Sequence, residues 1–165
     1  MISAEELIEM FGLKRHPEGG YFAESYRSAE MIPRQALPSR YEGERAFSTS
    51  IYFLLTAGTI SRLHRLASDE IWHFYLGGPL ELLQISPEGV LENVILGQDL
   101  PAGQKAQHVV PAGFWFGARP VGGSAYCFVG CTVAPGFDFA DFELARPEDL
   151  SRRFPALTEQ IRSFL

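Results

Sequence analysis

The sequence has few cysteines, no excess of positive charge and no long apolar run, and each absence excludes a class of protein. Its two cysteines, Cys127 and Cys131, are four residues apart in a strand-like stretch. A strand rises about 3.3 Å per residue, so they would lie roughly 13 Å apart, beyond disulfide reach. We therefore expect two reduced core thiols rather than a fold stapled by disulfides.

The charge balance argues against polyanionic partners. The formal net charge is -6, and no block of Lys and Arg stands out against that average. This predicts no nucleic-acid partner and no binding to an anionic membrane surface. No apolar run approaches the roughly 18 residues that cross a bilayer, and the first residues, MISAEELIEMF, are typical of an amphipathic helix rather than a signal peptide. We expect a cytoplasmic protein whose partner is a small-molecule ligand.

The composition is that of one folded unit with a substantial core. The chain has 165 residues, of which 46% are hydrophobic and 13% aromatic, which predicts a single domain over residues 1–165. Ser3 followed by Glu6 is a capping box and predicts a short helix over residues 3–11. Pro147 begins a second helical pattern, which Pro155 is expected to break or kink.

Most of the remaining chain is typical of short β-strands. Strand-like runs between residues 47 and 133 are separated by turn signals at Gly77, 87–89, 101–103 and 111–113. Regular short strands with Gly and Pro punctuation predict an antiparallel sandwich or barrel. Residues 29–45 have no sustained period and predict a long loop. The strand predicted at 21–26 precedes this loop and is placed to pair with a neighbouring subunit, so we expect a homodimer.

The stretch from Gly58 to Gly77, GTISRLHRLASDEIWHFYLG, stands at the centre of this pattern. It follows the spacing G-x5-H-x-L-x3-E-x6-G, with His64 and Glu70 at the two polar positions. Apolar residues that favour strands surround both, which predicts that the imidazole and the carboxylate project into the interior of the barrel.

This spacing resembles the first cupin motif, G-x5-H-x-H-x3-E-x6-G, and the run PAGFWFG resembles the second, P-x-G-x-x-H. The chain departs from both at Leu66 and Phe116, where a cupin carries histidines. The longer runs HPEGGYFAESYRS, DEIWHFYLGGPL and GCTVAPGFDFADFEL are similar to the uncharacterised cupin family five. The resemblance covers nearly the whole chain. It implies an all-β double-stranded β-helix, a jelly-roll barrel with short flanking helices.

A fainter similarity links the chain to the dTDP-sugar epimerases of the same superfamily. It is carried by Glu24, by Arg62 just before His64, and by the element Pro111–Phe114. It implies an isomerase or epimerase acting on a sugar-like substrate.

Three functions follow from these residues. In an acid–base enzyme, His64 would be the base and Glu70 its partner. The opposing acid would be Tyr126, with Tyr75 and Tyr52 as alternatives. Substrate contacts would come from a set of polar and aromatic side chains: Arg62, Gln107, Trp115 and Glu24. In a metal-dependent cupin, His64 and Glu70 would be two ligands of a divalent ion, and a completing ligand would come from Gln107, His108 or His73. The third is a non-catalytic domain that binds or senses a small ligand. The cofactor stays open, and a His64–carboxylate pair also has a purely structural explanation in an apolar barrel.

Overall fold

The computed structural model describes residues 2–165, and their strands form two antiparallel sheets that face each other. The strands are β1 (Lys14–Arg15), β2 (Tyr21–Arg27), β3 (Met31–Ile32), β4 (Arg45–Ala46), β5 (Thr49–Thr56), β6 (Ser61–Arg65), β7 (Asp69–Gly77), β8 (Leu80–Ile85), β9 (Leu91–Leu96), β10 (Gln107–Val110), β11 (Trp115–Pro120), β12 (Tyr126–Ala134) and β13 (Glu143–Leu144). The α-helices are α1 (Ala4–Phe11), α2 (Pro147–Arg153) and α3 (Thr158–Arg162), and 3-10 turns lie at Arg34–Ala36, Phe139–Asp141 and Pro155–Leu157.

The larger sheet has the order β1-β2-β5-β12-β7-β10 and the smaller one β13-β6-β11-β8-β9, while β3 and β4 form a separate ribbon. Every pair of these strands is antiparallel. The predicted antiparallel barrel is therefore confirmed. No helix among residues 2–165 combines the length and apolarity that crossing a bilayer requires.

Three apolar clusters hold these layers together. The largest lies between the two sheets and includes Phe53, Trp72 and Phe116. The outer side of the smaller sheet is covered by α2 and α3, whose Ile161 contributes to the second cluster. Helix α1 covers part of the larger sheet and buries Leu7. The short helices that the sequence predicts therefore cover the outer faces of the two sheets.

The helical ends agree with their sequence signals. The Ser3 side chain accepts a hydrogen bond from the Glu6 N–H, and the Glu6 carboxylate accepts one from the Ser3 N–H. The C-terminal helical stretch is divided at Pro155, where a 3-10 turn separates α2 from α3. The long segment over residues 29–45 is irregular apart from two two-residue strands and one 3-10 turn.

A short strap, residues 137–142, lies against one end of the barrel. Its three phenylalanines line the interior cavity described below. The Phe137 N–H donates to Thr49 Oγ1 at 2.8 Å. At the other end of the strap, the Arg45 guanidinium makes two bonds to the Asp141 carboxylate, of 2.7 and 2.6 Å. These two side chains are only 4% and 6% exposed, so the strap is held by a buried ion pair.

Removing one partner of this pair should destabilise the fold strongly. Asp141→Ala leaves the Arg45 guanidinium buried without a counter-charge, and we expect a loss of about 3 kcal/mol in the free energy of unfolding. Asp149→Ala is the matched control, because the Asp149–Arg152 pair is 57% and 78% exposed and should contribute less than about 1 kcal/mol. Urea unfolding of both variants measures the difference, and equal losses would contradict a structural role for the strap anchor.

Candidate functional site

A cavity of about 310 Å³ opens at one end of the barrel. Its wall combines phenyl rings and aliphatic side chains with a few acids, two histidines and one arginine. The lining residues are His16, Glu18, Phe22, Glu24, Arg27, Thr49, Ile51, Phe53, His64, Leu66, Glu70, Cys131, Val133, Phe137, Asp138, Phe139 and Phe142. This mixture of an apolar wall and a few convergent polar groups is typical of small-molecule sites.

Glu18 reaches this wall from a tight turn between β1 and β2. The turn closes through two backbone bonds between His16 and the glycine pair, and the Arg62 N–H donates to the Glu18 carbonyl at 2.9 Å. Gly19 and Gly20 have φ values of 117° and 74°. A Cβ at Gly19 would collide with the Ile60 carbonyl, so only glycine lets the turn pack this closely against the barrel.

The Glu18 carboxylate is buried and makes specific bonds through both oxygens. Oε2 lies 3.0 Å from His64 Nε2. Oε1 accepts a hydrogen bond of 2.8 Å from the Ser61 hydroxyl. All three side chains are almost inaccessible to solvent, so these protein groups orient the carboxylate.

The hydrogen bonds of His64 determine where its proton lies. Its Nδ1 is 2.7 Å from the Arg62 backbone carbonyl, which can only accept, so Nδ1 must carry a hydrogen. Nε2 lies 3.0 Å from Glu18 Oε2, a distance at which two unprotonated atoms would repel, so the arrangement favours one further proton between them. The pair is therefore either imidazole with carboxylic acid or imidazolium with carboxylate.

Burial favours the uncharged form of this pair. It lowers the pKa of His64 to about 4, against a smaller upward effect of the Arg62 carbonyl. Burial also raises the pKa of Glu18, although His16, Ser61 and Arg62 oppose that rise. Both shifts act in the direction that keeps the shared proton on the carboxyl side, since separated charges are costly where water is excluded.

His16 lies on the other side of the same carboxylate. The Glu18 N–H donates to His16 Nδ1 at 3.3 Å, so that nitrogen is an acceptor and the ring hydrogen is on Nε2. Within residues 2–165 no protein group is hydrogen-bonded to His16 Nε2. Burial lowers the pKa of His16, an effect that the charge of Glu18 partly offsets. His16 therefore offers a free N–H donor in a cavity wall.

Glu70 is the least satisfied polar group of the site. Its Oε2 is buried without a hydrogen-bond partner in the described part of the chain. Burial raises the pKa of Glu70 to about 8, and the charge of Glu18 adds to the rise. A polar contact with the Cys131 thiol lowers it less, and the Trp72 indole N–H is near but outside hydrogen-bonding geometry. A pKa of about 8 means that Glu70 is expected to be mostly protonated at neutral pH, and its Oε2 lacks the partner that a buried polar atom normally has.

Three of the residues that the sequence singles out lie on the cavity wall, namely His64, Glu70 and Glu24. His64 and Glu70 are not bonded to each other, because both imidazole nitrogens are engaged by Arg62 and Glu18. The carboxylate partner of His64 is thus Glu18, which corrects the expected pairing with Glu70. Glu24 forms a two-bond ion pair with Arg27 near the exposed rim.

The other four lie outside the cavity. The Tyr126 hydroxyl donates to the Ile2 carbonyl at 2.9 Å beside α1, far from His64 in the fold. Trp115 packs under the C-terminal helices, because alternation along β11 sends Phe116 inward and Trp115 outward. Gln107 is opposite His73 on the outer face and is exposed. Arg62 donates to the Pro17 carbonyl at 2.6 Å, so it supports the Glu18 turn.

These residues do not fit a resident divalent metal ion. No cluster of three or more His, Cys, Asp and Glu side chains within residues 2–165 is arranged to hold one. Leu66 and Phe116 occupy two of the positions where ligands would be needed, and both are buried in the apolar core. His64 has no free nitrogen to offer. The proposed metal pair of His64 and Glu70 therefore lacks both further ligands and an available imidazole.

Sequence reasoning missed Glu18, and for His16 it favoured a solvated turn position over a place at the mouth of the cavity. A signal was present in the run HPEGG, where an acid is followed at once by two glycines. Adjacent glycines at a turn allow close backbone approach, and a charged side chain carried by such a turn is brought against the neighbouring strand. Which strand it meets depends on the packing of the turn on β6, and no local pattern contains that information.

Comparison with known proteins identifies the family of the chain. The profile of the family described as cupin superfamily (DUF985) matches residues 5–145. The chain belongs to this cupin family. It is also 30% identical over 156 residues to the uncharacterized protein YML079W of Saccharomyces cerevisiae, a match that covers 89% of this cupin and 77% of the yeast protein.

Solved structures extend the likeness over the entire cupin. A hypothetical protein from Leishmania major superposes with a TM-score of 0.89 at 34% identity, covering 99% of this chain and 98% of that one. Protein SO0799 from Shewanella oneidensis gives 0.88 at 40% identity with the same coverages. Oxalate decarboxylase from Bacillus subtilis gives 0.53 at 14% identity, covering 92% of this chain and 36% of that one. This last match supports the cupin fold alone.

The raised pKa of Glu70 predicts a pH dependence of stability. Between pH 7 and 8 the folded cupin keeps Glu70 protonated, whereas the unfolded chain has lost this proton above its ordinary pKa of 4.5. The unfolded state binds fewer protons, so the free energy of unfolding should fall as pH rises, by up to about 1.4 kcal/mol per pH unit, and level off above about pH 8. Glu70→Gln should remove this contribution.

Urea unfolding at intervals from pH 7 to 8.5 measures the slope. Glu143→Gln is the control, because Glu143 forms an exposed pair with Arg65 on β6 and should leave the slope as it is in the native protein. A Glu70→Gln variant with the native slope would show that Glu70 is ionised in the folded state.

Proposed function

We propose that this cupin binds a small molecule in the cavity and catalyses proton transfer on it, as an isomerase or epimerase does. The observation that carries the proposal is the coexistence of two acid–base systems in one water-poor wall. One is the Glu18–His64 pair, which shares a single proton. The other is Glu70, a protonated acid with a free oxygen. Environments that separate the pKa values of neighbouring titratable groups in this way are typical of acid–base sites.

Each group has a distinct part in the proposed reaction. When the shared proton moves to His64, Glu18 becomes a carboxylate at the cavity wall and takes a proton from the carbon next to a carbonyl group. Glu70 gives its proton to the carbonyl oxygen, so that the C–H bond breaks as the enol O–H forms. Returning the proton to the carbon from another direction, or to another carbon, gives the isomer and restores both acids.

His64 acts through Glu18 in this proposal and is a positioning residue. Its bond to the Arg62 carbonyl orients the ring, and its Nε2 holds or releases the shared proton. Arg62 and Ser61 support the same arrangement by fixing the turn and the second Glu18 oxygen. Tyr126 has no part, because its hydroxyl is bound to a backbone carbonyl at the other side of the larger sheet.

The wall also bears on the shape of the substrate. Five phenyl rings line the cavity, those of Phe22, Phe53, Phe137, Phe139 and Phe142. Such rings favour a ligand with at least one flat or apolar face, a requirement that the C–H face of a sugar ring also meets. The sugar-like substrate expected from the sequence remains compatible with this wall, and a non-catalytic binding domain would use the same cavity. The metal-dependent alternative lacks a fitting set of ligands.

The homodimer stays a prediction. Strand β1 pairs with only the first two residues of β2, so that edge of β2 is open from Ala23 to Arg27. Tyr26 on this segment is 55% exposed. An open edge with an exposed aromatic side chain suits pairing with a second copy of the chain.

Exchange of carbon-bound hydrogen tests the proposed reaction directly. In D2O, the protein should catalyse loss of the α-hydrogen signal from at least one of three probes: 2-hydroxyacetophenone, phenylacetaldehyde and dihydroxyacetone. Glu18→Gln cannot accept the proton, so exchange should fall at least about 100-fold. Glu81→Gln, on the outer pair with Arg119, is the control and should exchange at the native rate.

Proton NMR follows the signal with time. The proposal fails if the native protein exchanges none of the probes faster than buffer, a result that would favour the non-catalytic binding role. It also fails if Glu18→Gln is as active as the native protein.

A further inference from the structure

We propose that the ligand of this cavity is an uncharged carbonyl compound with a flat apolar body, bound with its oxygen toward Glu70 and His16. The carbonyl rests on the proposed function, while the absence of charge on the ligand rests on the cavity alone. Nucleotide sugars and carboxylates carry negative charge and are therefore excluded as ligands of this cavity.

The cavity offers an anionic ligand no free cation. Arg27 is the one positively charged side chain among the lining residues. Its Nε and one terminal nitrogen bind the Glu24 carboxylate at 3.0 and 2.7 Å, and its other terminal nitrogen donates to the Phe137 carbonyl. It is 44% exposed, so it belongs to the rim. A phosphate or carboxylate in the buried part would meet acids and no free guanidinium.

The acids of the lining do not offer a cation an unneutralised charge. A cationic ligand needs a carboxylate without a counter-charge, but the Glu18–His64 pair shares one proton and is neutral as a whole, and Glu24 is paired with Arg27. Asp138 accepts a hydrogen bond from the Ala140 N–H within the strap. The remaining acid, Glu70, is protonated at neutral pH. A buried cation would therefore have to expel the Glu70 proton before it could form an ion pair.

Two polar groups of the cavity lining remain without a protein partner. In the described chain no hydrogen bond is made by His16 Nε2 or by the Glu70 carboxyl, whose Oε2 is closed to solvent. A buried polar group such as the Glu70 carboxyl is normally paired. A carbonyl oxygen can accept from two donors, and it satisfies both without bringing charge into the site. The phenyl rings then pack against the rest of the ligand.

The titratable groups that face Glu70 add no net charge to the cavity near neutral pH. Glu18 shares its proton with His64, and burial lowers the pKa of both His64 and His16. Burial raises the pKa of the Cys131 thiol well above its ordinary range. Glu70 is therefore the group whose ionisation should end binding of an uncharged acceptor as the solution becomes alkaline.

Three ligands of one shape and different charge test the inference. Benzamide, benzoate and benzamidinium carry uncharged, negative and positive groups on the same ring. Calorimetric titration of the full-length protein at pH 7 should show benzamide binding at least tenfold more tightly than either ion. Equal or tighter binding of benzoate or benzamidinium would overturn the inference, as would a lack of measurable benzamide binding.

Variants at Glu70 test whether this residue donates the hydrogen bond to the ligand. Glu70→Gln keeps a hydrogen-bond donor without a titratable proton, so benzamide affinity should stay within threefold of the native value and remain unchanged up to pH 9. Native affinity should decline as pH rises past about 8, the pKa of Glu70. Glu70→Ala, which has no donor, should weaken benzamide binding at least tenfold. Native affinity for benzamide in Glu70→Ala would contradict the assignment.

The two proposals fail separately. A preference for a charged ligand overturns the present inference while α-hydrogen exchange can still be observed. Conversely, benzamide selectivity without exchange of any carbonyl probe leaves this inference standing and removes the proposed catalysis.

Discussion

The site depends on the 3.0 Å contact between His64 Nε2 and Glu18 Oε2. Because the other imidazole nitrogen faces a backbone carbonyl, this contact is favourable only if one proton lies between the two side chains. Several features of the fold serve this contact. The glycine pair brings the Glu18 turn against β6, the Arg62 side chain and N–H fix that turn, and Ser61 orients the second carboxylate oxygen.

The same contact determines the electrostatics of the cavity. A pair that shares one proton is neutral as a whole, and burial, the largest cause of the raised pKa of Glu70, favours the protonated form of that acid. The buried wall therefore has donors and acceptors but little net charge, while the Glu24–Arg27 pair is confined to the rim. This division explains how a cupin without a fitting set of metal ligands retains polar groups suited to proton transfer.

The fold could be predicted from local patterns because each pattern indicated a single type of structure or boundary. Gly and Pro turns separated the strands, the Ser3–Glu6 capping box began α1, and Pro155 divided the C-terminal helices. The orientations of His64 and Glu70 on their strands likewise follow from the spacing of the motif and its apolar neighbours. Trp115 shows the limit of such reasoning, since alternation along β11 fixes its side opposite to Phe116 but not which side faces the cavity.

Partners across the fold could not be predicted in this way. Glu18 and His64 are 46 residues apart in sequence, and their contact results from how a loop packs on a strand. Tyr126 was a reasonable acid by residue type, but its position relative to α1 makes its hydroxyl a partner of the Ile2 carbonyl. The His64–Glu70 spacing suggested a pair, yet strand geometry placed both on one wall with another carboxylate bonded to the imidazole.

The position of the hydrogen on the His64 ring tests the shared-proton pair most directly. Nitrogen-15 NMR of the histidine rings distinguishes a protonated from an unprotonated ring nitrogen. For His64 between pH 6 and 8 we expect a neutral ring that carries its hydrogen on Nδ1, with Nε2 accepting from Glu18. A ring with its hydrogen on Nε2, or one that becomes an imidazolium as the pH falls through its ordinary pKa of 6.5, would contradict the shared-proton pair.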